Sequence, residues 1–195
     1  MAAGVFELVN GKGRKYLTGD ERDRFVAAAR ADPRPAVQTF AATLAHTGAR
    51  ISEVLAIRAG DVDVESSEVR IATLKRRREH WRCVPVPEDL IHDLELVHQL
   101  RRTQRSPRGR RTRLWPVSRA TATRHVTELM AVAGIDGPQA SAKGLRHAYG
   151  VAAVAAGVPL PTVAAVLGHA SLNTTAIYTT AIGAEARELV ARMWG

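Results

Sequence analysis

Apolar residues in the first third of the chain recur at spacings of three and four, the period of helices with one buried face. Thr18 and Glu21 form a capping-box pair for a first helix that extends to about Arg30. Pro35 suits the first turn of a second helix, and Gly48 suits its end. The inward stripe of the second helix consists of Val37, Phe40 and Leu44. This pattern predicts two packed scaffold helices.

The middle third of the chain changes from helical to strand patterning. Residues 49–57 are predicted to form a short helix that starts near Arg50. Residues 68–74 and 81–86 are rich in β-branched or apolar side chains and flank the polar run KRRREH, which is typical of a β-hairpin. Lys75 then lies at the tip of the predicted hairpin.

The remainder of the chain is predicted to be helical, apart from an arginine-rich loop over residues 103–113 that contains Pro107 and Gly109. The predicted helices cover residues 87–102, 118–133, 143–156, 161–167, 171–180 and 184–193. The fold class is therefore mainly α with a small antiparallel β-hairpin or sheet (α+β). We expect a tail over residues 1–17 and a single domain over residues 18–195, since no internal repeat interrupts the pattern.

One uncharged stretch, residues 148–168, is long enough to cross a bilayer. Gly157, Pro159 and Pro161 would break a spanning helix near its middle. Its apolar residues are mostly alanine and valine, which suits two short core helices better. We therefore expect no membrane segment.

The net charge of the chain indicates the kind of partner that it binds. A formal net charge of +9 and a pI near 10.7 indicate an anionic partner, with nucleic acid as the first candidate. Genome composition is an alternative source of this charge, since only four of the 28 basic side chains are lysines. Cys83 is the single cysteine, which excludes an intramolecular disulfide and a cysteine-based metal cluster. The N-terminus lacks a signal-peptide pattern, so we expect a cytoplasmic protein.

Three separate motifs carry the candidate chemistry. They are TGARISEVLAI with Arg50, KGLRHAYG with Arg146, and LGHASLNTTAIY with His169 and Tyr178. In this order and spacing they resemble the catalytic domain of tyrosine recombinases, the phage-type integrase family, from about Thr18 to the C-terminus. Three motifs in the family's order are far more specific than any one of them alone.

The resemblance implies a fold, a reaction and a set of catalytic residues. Arg50 and Arg146 would clamp the scissile phosphate, since guanidinium donors match phosphate oxygens in bidentate fashion. Tyr178 would attack the phosphate to give a 3′-phosphotyrosine and a free 5′-hydroxyl, and His169 would hydrogen-bond the phosphate. The family needs neither metal nor cofactor for this step. For Arg50 alone, an ion pair with Glu53 one turn along its helix would be a sufficient explanation.

Other positions leave alternatives open. Lys75 matches the family's hairpin lysine, a general acid for the leaving 5′ oxygen, although it also fits a solvated basic turn. Lys143 stands where most relatives carry histidine, and its function as base or as phosphate ligand is open. Tyr149 is the rival nucleophile, three residues after Arg146, and His147 is expected to have a structural function.

DNA contacts outside the catalytic set are assigned to arginines of two basic segments. The arginines at the hairpin and in the arginine-rich loop would bind backbone phosphates without recognising a DNA sequence. For the loop arginines, simple exposure to solvent is nearly as good an explanation. They are Arg76, Arg77, Arg78, Arg82, Arg105, Arg108, Arg110 and Arg111.

The resemblance also implies partners. We expect double-stranded DNA recombination sites, a homotetramer on DNA, accessory DNA-binding proteins and association with the bacterial nucleoid. The separate N-terminal core-binding domain of many relatives is expected to be missing. Residues 184–194 form an apolar stripe that would either close the domain's own core or dock on a neighbouring protomer.

Two other functions fit parts of the sequence. A type IB topoisomerase would use the same chemistry to nick and reseal DNA without paired sites. A noncatalytic helix-turn-helix regulator would explain residues 163–178, but it would leave Arg50, Lys75 and Arg146 without a function.

Overall fold

The computed structural model describes residues 9–10, 13–73, 80–169, 173–176 and 178. The longer helices are α1 (Gly19–Arg30), α2 (Pro35–Thr47), α4 (Glu88–His98), α7 (Arg119–Val132), α8 (Ala142–Ala155) and α9 (Leu160–Leu167). The short helices are α3 (Ile51–Val54), α5 (Leu100–Thr103), α6 (Pro107–Arg110), α10 (Asn173–Ala176) and a 3₁₀ turn at Ala59–Asp61. The strands are β1 (Val9–Asn10), β2 (Gly13–Arg14), β3 (Val62–Asp63), β4 (Glu68–Ala72) and β5 (Trp81–Pro85). The predicted mainly helical α+β class is confirmed.

The two scaffold helices start and stop where the sequence predicts. The hydroxyl of Thr18 accepts a hydrogen bond of 3.2 Å from the backbone N–H of Glu21, whose carboxylate accepts one of 2.8 Å from the backbone N–H of Thr18. Gly48 ends α2 with φ of +59°, a left-handed conformation that a side chain would strain. Helix α2 lies at the centre of the domain and packs against α1, α4 and α8.

The sheet is antiparallel with strand order β3-β4-β5. Val69 pairs with Val84 and Ile71 pairs with Arg82, so the buried residues of the two strands lie on the same face of the sheet. The predicted hairpin tip at residues 74–79, with Lys75, Arg76, Arg77 and Arg78, lies outside the described residues.

The arginine-rich segment is not the loop that its composition predicts. Gln99 adopts a left-handed conformation with φ of +49° and ends α4, so the helix predicted over residues 87–102 is divided in two. Ser106 then accepts a hydrogen bond of 3.0 Å from the backbone N–H of Gly109 and caps α6, with Pro107 in its first turn. Local capping therefore outweighs the loop-forming composition.

The uncharged stretch forms two short helices, as predicted, and Gly157 lies between them with φ of +79°. Within the described residues, no helix combines the length and hydropathy that crossing a bilayer requires. Of the helix predicted at 171–180 the structure describes α10 and Tyr178, while the helix predicted at 184–193 lies outside the described residues.

Candidate active site

A cleft of about 470 Å³ opens between the start of α3, the start of α8 and the turn that follows α9. It brings together five of the six predicted catalytic residues, Arg50, Lys143, Arg146, His169 and Tyr178. The sixth, Lys75, lies outside the described residues. Other side chains that line the cleft include Ser52, Arg119, His147 and Thr174. The cleft is therefore dominated by cations and neutral hydrogen-bonding groups.

Arg146 is held in place by two helix ends. Its side chain on α8 is mostly buried, and its guanidinium donates 2.8 Å from Nη1 to the carbonyl of Gly48 and 2.7 Å from Nη2 to the carbonyl of Leu167. These carbonyls end α2 and α9, where the helix dipole favours a cation. Burial and the nearby charge of Arg50 lower the pKa of Arg146 to about 10, so it stays charged at neutral pH.

Arg50 precedes the first turn of α3 and is fixed by Glu53. Its Nη1 donates 2.7 Å to Oε1 of Glu53, and its backbone N–H donates 3.0 Å to Oε2. The ion pair that the sequence offered as an alternative thus exists, but the guanidinium also lines the cleft. The carboxylate of Glu53 therefore orients the side chain of Arg50.

Arg82 departs from the expectation of a DNA contact. Its side chain is only 5% exposed and lies inside the domain. The guanidinium donates 2.6 Å to the carbonyl of Val166, 3.0 Å to the hydroxyl of Thr73 and 2.8 Å to Oε2 of Glu53. Arg82 is therefore a buried counterion that joins β5 to α9 and α3, and its burial argues against the expected DNA contact.

The sequence identifies Glu53 only as a possible ion-pair partner of Arg50, three residues away, and not as a functional residue itself. The carboxylate is 1% exposed and lies between Arg50 and Arg82. Burial raises the pKa of Glu53, but the charge of Arg82 and hydrogen bonds from both arginines outweigh burial and hold the pKa below its ordinary value. Glu53 remains ionised at neutral pH.

His169 follows α9 and is aligned by contacts on both sides. Its Nδ1 lies 2.9 Å from the hydroxyl of Thr175, and its ring stacks on Tyr178 with centroids 6.1 Å apart. Burial lowers the pKa of His169 to about 4, helped by the charges of Arg146 and Arg50. The imidazole is therefore neutral at pH 7.

Tyr178 is buried to 1% exposure within the cleft wall. Its hydroxyl lies 3.3 Å from Nδ1 of His147, and its ring packs so closely on α8 that a methyl group at Gly150 would fall about 2.5 Å from ring atoms. Burial raises the pKa of the phenol, while the charges of Arg146 and Arg50 act in the opposite direction. The rival Tyr149 packs instead beside Gly48.

Arg119 is a charged cleft residue that the sequence motifs do not identify. It begins α7 directly after the capping Ser118, whose hydroxyl accepts from the backbone N–H of Thr121 at 3.1 Å. The helix dipole disfavours a cation at the start of a helix. An arginine at this position in the sequence is therefore a signal for an anion-binding site. The arginines around α6 lie apart from the cleft side chains and are exposed: Arg105, Arg108, Arg110 and Arg111.

Potential metal ligands are not grouped as a metal site in the part of the chain that the structure describes. Among the described residues, no group of three or more histidine, cysteine, aspartate or glutamate side chains is arranged to hold a metal ion. The cleft side chains instead supply hydrogen-bond donors and positive charge.

Comparison with known proteins places the chain in a family. The family model described as the phage integrase family matches residues 15–184. A resolvase of Escherichia coli strain K12 is 33% identical over 165 residues, which cover 71% of this chain and 62% of that protein. The tyrosine recombinase XerA of Pyrococcus furiosus is 29% identical over 150 residues, covering 75% of this chain and 50% of that protein.

Solved structures agree on the fold. The crystal structure of XerA recombinase superposes with a TM-score of 0.73 at 27% identity, over 91% of this chain and 64% of that one. XerH recombinase bound to its difH substrate before cleavage gives a TM-score of 0.69 at 22% identity, covering 84% and 50%, a likeness of fold alone. This chain spans less than two thirds of the length of these relatives. With three motifs in order and a family match over most of its length, the chain belongs to the phage integrase family of tyrosine recombinases.

Proposed function

We propose that this chain is the catalytic unit of a site-specific DNA recombinase, which cleaves and rejoins strands through a 3′-phosphotyrosine intermediate. The observation that carries the proposal is the cleft that Arg50, Arg146 and His169 line together with Tyr178. A phosphodiester under attack gains negative charge on its nonbridging oxygens, and fixed donors stabilise that charge. The cleft offers such donors next to a nucleophile.

The two arginines are suited to bind one phosphate together. Arg146 uses two donors on backbone carbonyls, and an arginine has five, so three remain for phosphate oxygens. Arg50 is anchored by Glu53 yet stays partly exposed to the cleft. When the hydroxyl of Thr175 donates to Nδ1 of His169, Nε2 carries the proton and donates to the phosphate.

Tyr178 is the nucleophile in this proposal. Its oxygen bonds to phosphorus while the bond to the 5′ oxygen breaks, so the energy of the phosphodiester is kept in the phosphotyrosine. We expect neither a metal nor a nucleotide cofactor, and cleavage should continue in EDTA. Tyr149 is disfavoured because it packs beside Gly48 instead of lining the cleft with Arg146.

The two lysines complete the catalytic set. We assign Lys75 as the general acid that protonates the leaving 5′ oxygen, because an ammonium can release a proton where a guanidinium cannot. Lys143 lines the cleft one turn before His147. We assign it to donate to the phosphate or to stabilise the phenolate.

DNA outside the cleft is bound electrostatically in this proposal. The exposed arginines around α6 contact backbone phosphates, as do those of the hairpin tip at 76–78. Four copies assemble on two duplexes at recombination sites, with accessory DNA-binding proteins, in the bacterial nucleoid. The outcome is integration, excision, inversion or resolution of mobile DNA.

A noncatalytic helix-turn-helix regulator is the second candidate, and burial argues against it. A recognition helix presents its side chains to base edges in the major groove. Thr175 and Tyr178, which would belong to that helix, are instead 0% and 1% exposed. A type IB topoisomerase shares the chemistry but has no need for paired sites.

The test is covalent trapping. The protein is incubated with nicked suicide substrates drawn from DNA that flanks its gene, and adducts that resist SDS are mapped by mass spectrometry. We expect linkage at Tyr178, absent in Tyr178→Phe, with DNA binding retained. Tyr149→Phe is the matched control and should form the adduct normally.

Each contrary result has a defined meaning. Unchanged DNA binding without any adduct would support the regulator. Linkage at Tyr149 would overturn the assignment of the nucleophile. Efficient relaxation of supercoiled DNA at single, unpaired sites would favour the topoisomerase.

A further inference from the structure

One face of α8 packs against the candidate nucleophile, Tyr178. Lys143, His147 and Gly150 are spaced by four and three residues, so they share this face. The ring of Tyr178 covers Gly150, and its hydroxyl reaches His147. The phenol thus lies along the helix, with its oxygen at the level of the histidine.

His147 is the residue of this face that contacts the reacting atom. Its Nδ1 is 3.3 Å from the phenol oxygen, and the two rings are 5.9 Å apart between centroids. Lys143 starts about 6 Å further along the helix axis, at a rise of 1.5 Å per residue. Helical side chains lean toward the N-terminus, so Lys143 leans away from Gly150 and from the ring that covers it.

The protonation state of His147 suits an acceptor. Burial lowers the pKa of its imidazole to about 4, and the positive charges of Lys143, Arg146 and Lys15 add to the effect. Tyr178 and His169 are the other titratable groups that face it. At neutral pH the ring is uncharged and keeps a lone pair, whereas a lysine ammonium has only donors.

We propose that His147 accepts the phenolic proton of Tyr178 during strand cleavage and returns it during rejoining. Lys143 then acts on the phosphate and not as the base. This inference rests on the proposed recombinase function and names a catalytic residue within the same cleft.

The step balances in protons and bonds. The phenol oxygen bonds to phosphorus as its proton moves to Nδ1 of His147, which becomes an imidazolium. The bond from phosphorus to the 5′ oxygen breaks, and that oxygen takes a proton from the general acid assigned to Lys75. Rejoining reverses each transfer. Bound phosphate offsets the charges of Lys143 and Arg146, which makes the imidazolium easier to form.

The test compares single-turnover cleavage by the wild type, His147→Gln and Lys143→Gln across pH 3.5 to 9, a range that includes the pKa of His147 at about 4. Glutamine keeps the polarity of His147 but cannot accept a proton. We expect His147→Gln to cleave about 100-fold more slowly and to lose the fall in rate that the wild type shows toward acidic pH. Lys143→Gln should be slower but keep that acidic limb. His92→Gln, an exposed histidine on α4, is the matched control.

Two further measurements separate a chemical from a structural function. Imidazole added to His147→Ala should restore part of the cleavage rate. A substrate with sulfur in place of the bridging 5′ oxygen needs no general acid, so His147→Gln should stay slow on it, whereas a Lys75 variant should recover. DNA binding and circular dichroism check the fold of each variant.

The outcomes distinguish this inference from the function on which it rests. Wild-type adduct at Tyr178 together with normal cleavage by His147→Gln, or loss of the acidic limb only in Lys143→Gln, overturns the assignment of His147. Absence of any wild-type adduct overturns the recombinase function itself.

Discussion

Glu53 and Arg82 form a buried ion pair, with 2.8 Å between the carboxylate and the guanidinium. The same carboxylate holds Arg50 at 2.7 Å. The position of Arg50, for which we propose phosphate binding, thus depends on a contact between α3 and a distant strand.

Removing this carboxylate should weaken both the fold and the reaction. In Glu53→Gln the charge of Arg82 stays buried without its counterion, which costs about 3–5 kcal/mol in the free energy of unfolding. Urea denaturation measures that loss, and trapping assays should show slower adduct formation. Asp20→Asn, at the exposed pair with Arg24, is the control and should cost under about 1 kcal/mol. Equal losses in the two variants would refute a special function for Glu53.

Gly150 should tolerate no side chain while Tyr178 lies on α8. Gly150→Ala places a methyl group about 2.5 Å from the ring, so the ring must move. We expect adduct formation to slow by about tenfold or more, since small displacements of reacting groups are costly, with DNA binding unchanged. Gly19→Ala, at a position with open space, is the control. A normal rate for Gly150→Ala would mean that the ring leaves α8 before it reacts.

Acid should destabilise the fold through two histidines of the cleft. The pKa values of His147 and His169 are about 4 in the folded protein, against an ordinary histidine pKa of 6.5. Between pH 6.5 and about 4 the unfolded chain therefore binds more protons, so the free energy of unfolding falls as pH falls.

Denaturation at several pH values within that window tests this expectation. The double variant His147→Gln, His169→Gln should show a shallower dependence on pH than the wild type. An identical slope in both proteins would assign the pH dependence to other groups.

The exposed arginines around α6 should set the salt dependence of DNA binding. Replacing Arg105, Arg108, Arg110 and Arg111 with glutamine removes up to four phosphate contacts, and each contributes about 0.9 to the slope of log K against log salt. Binding should weaken on specific and random DNA alike. Arg30→Gln, on an exposed site of α1, serves as the control. An unchanged slope in the fourfold variant would place these arginines off the DNA path.

Local signals in the sequence predicted much of the fold. The capping pair of Thr18 and Glu21, the stop at Gly48 and the hairpin pattern are short-range features, and the structure confirms them. Ser106 and Pro107 are a readable helix start as well, but Pro107 and Gly109 within an arginine-rich run favour a loop.

Long-range contacts account for what the sequence could not predict. The burial of Arg82 depends on the carbonyl of Val166, 84 residues away, and no local pattern reports that contact. The pairing of His147 with Tyr178 spans 31 residues and depends on where the tyrosine that follows α10 packs on α8. The order of the motifs predicts which residues line the cleft. The contact between the His147 ring and the Tyr178 hydroxyl follows only from the packing of the helices.

Arg146 fastens the last turns of α2 and α9 to one guanidinium. Any substitution that loosens either helix will therefore disturb this arginine, even from a distance. In an activity screen, such variants will lose activity as variants of the cleft residues do, although the substituted side chains lie away from the cleft. Thermal melting of each inactive variant is needed to separate scaffold defects from chemical ones.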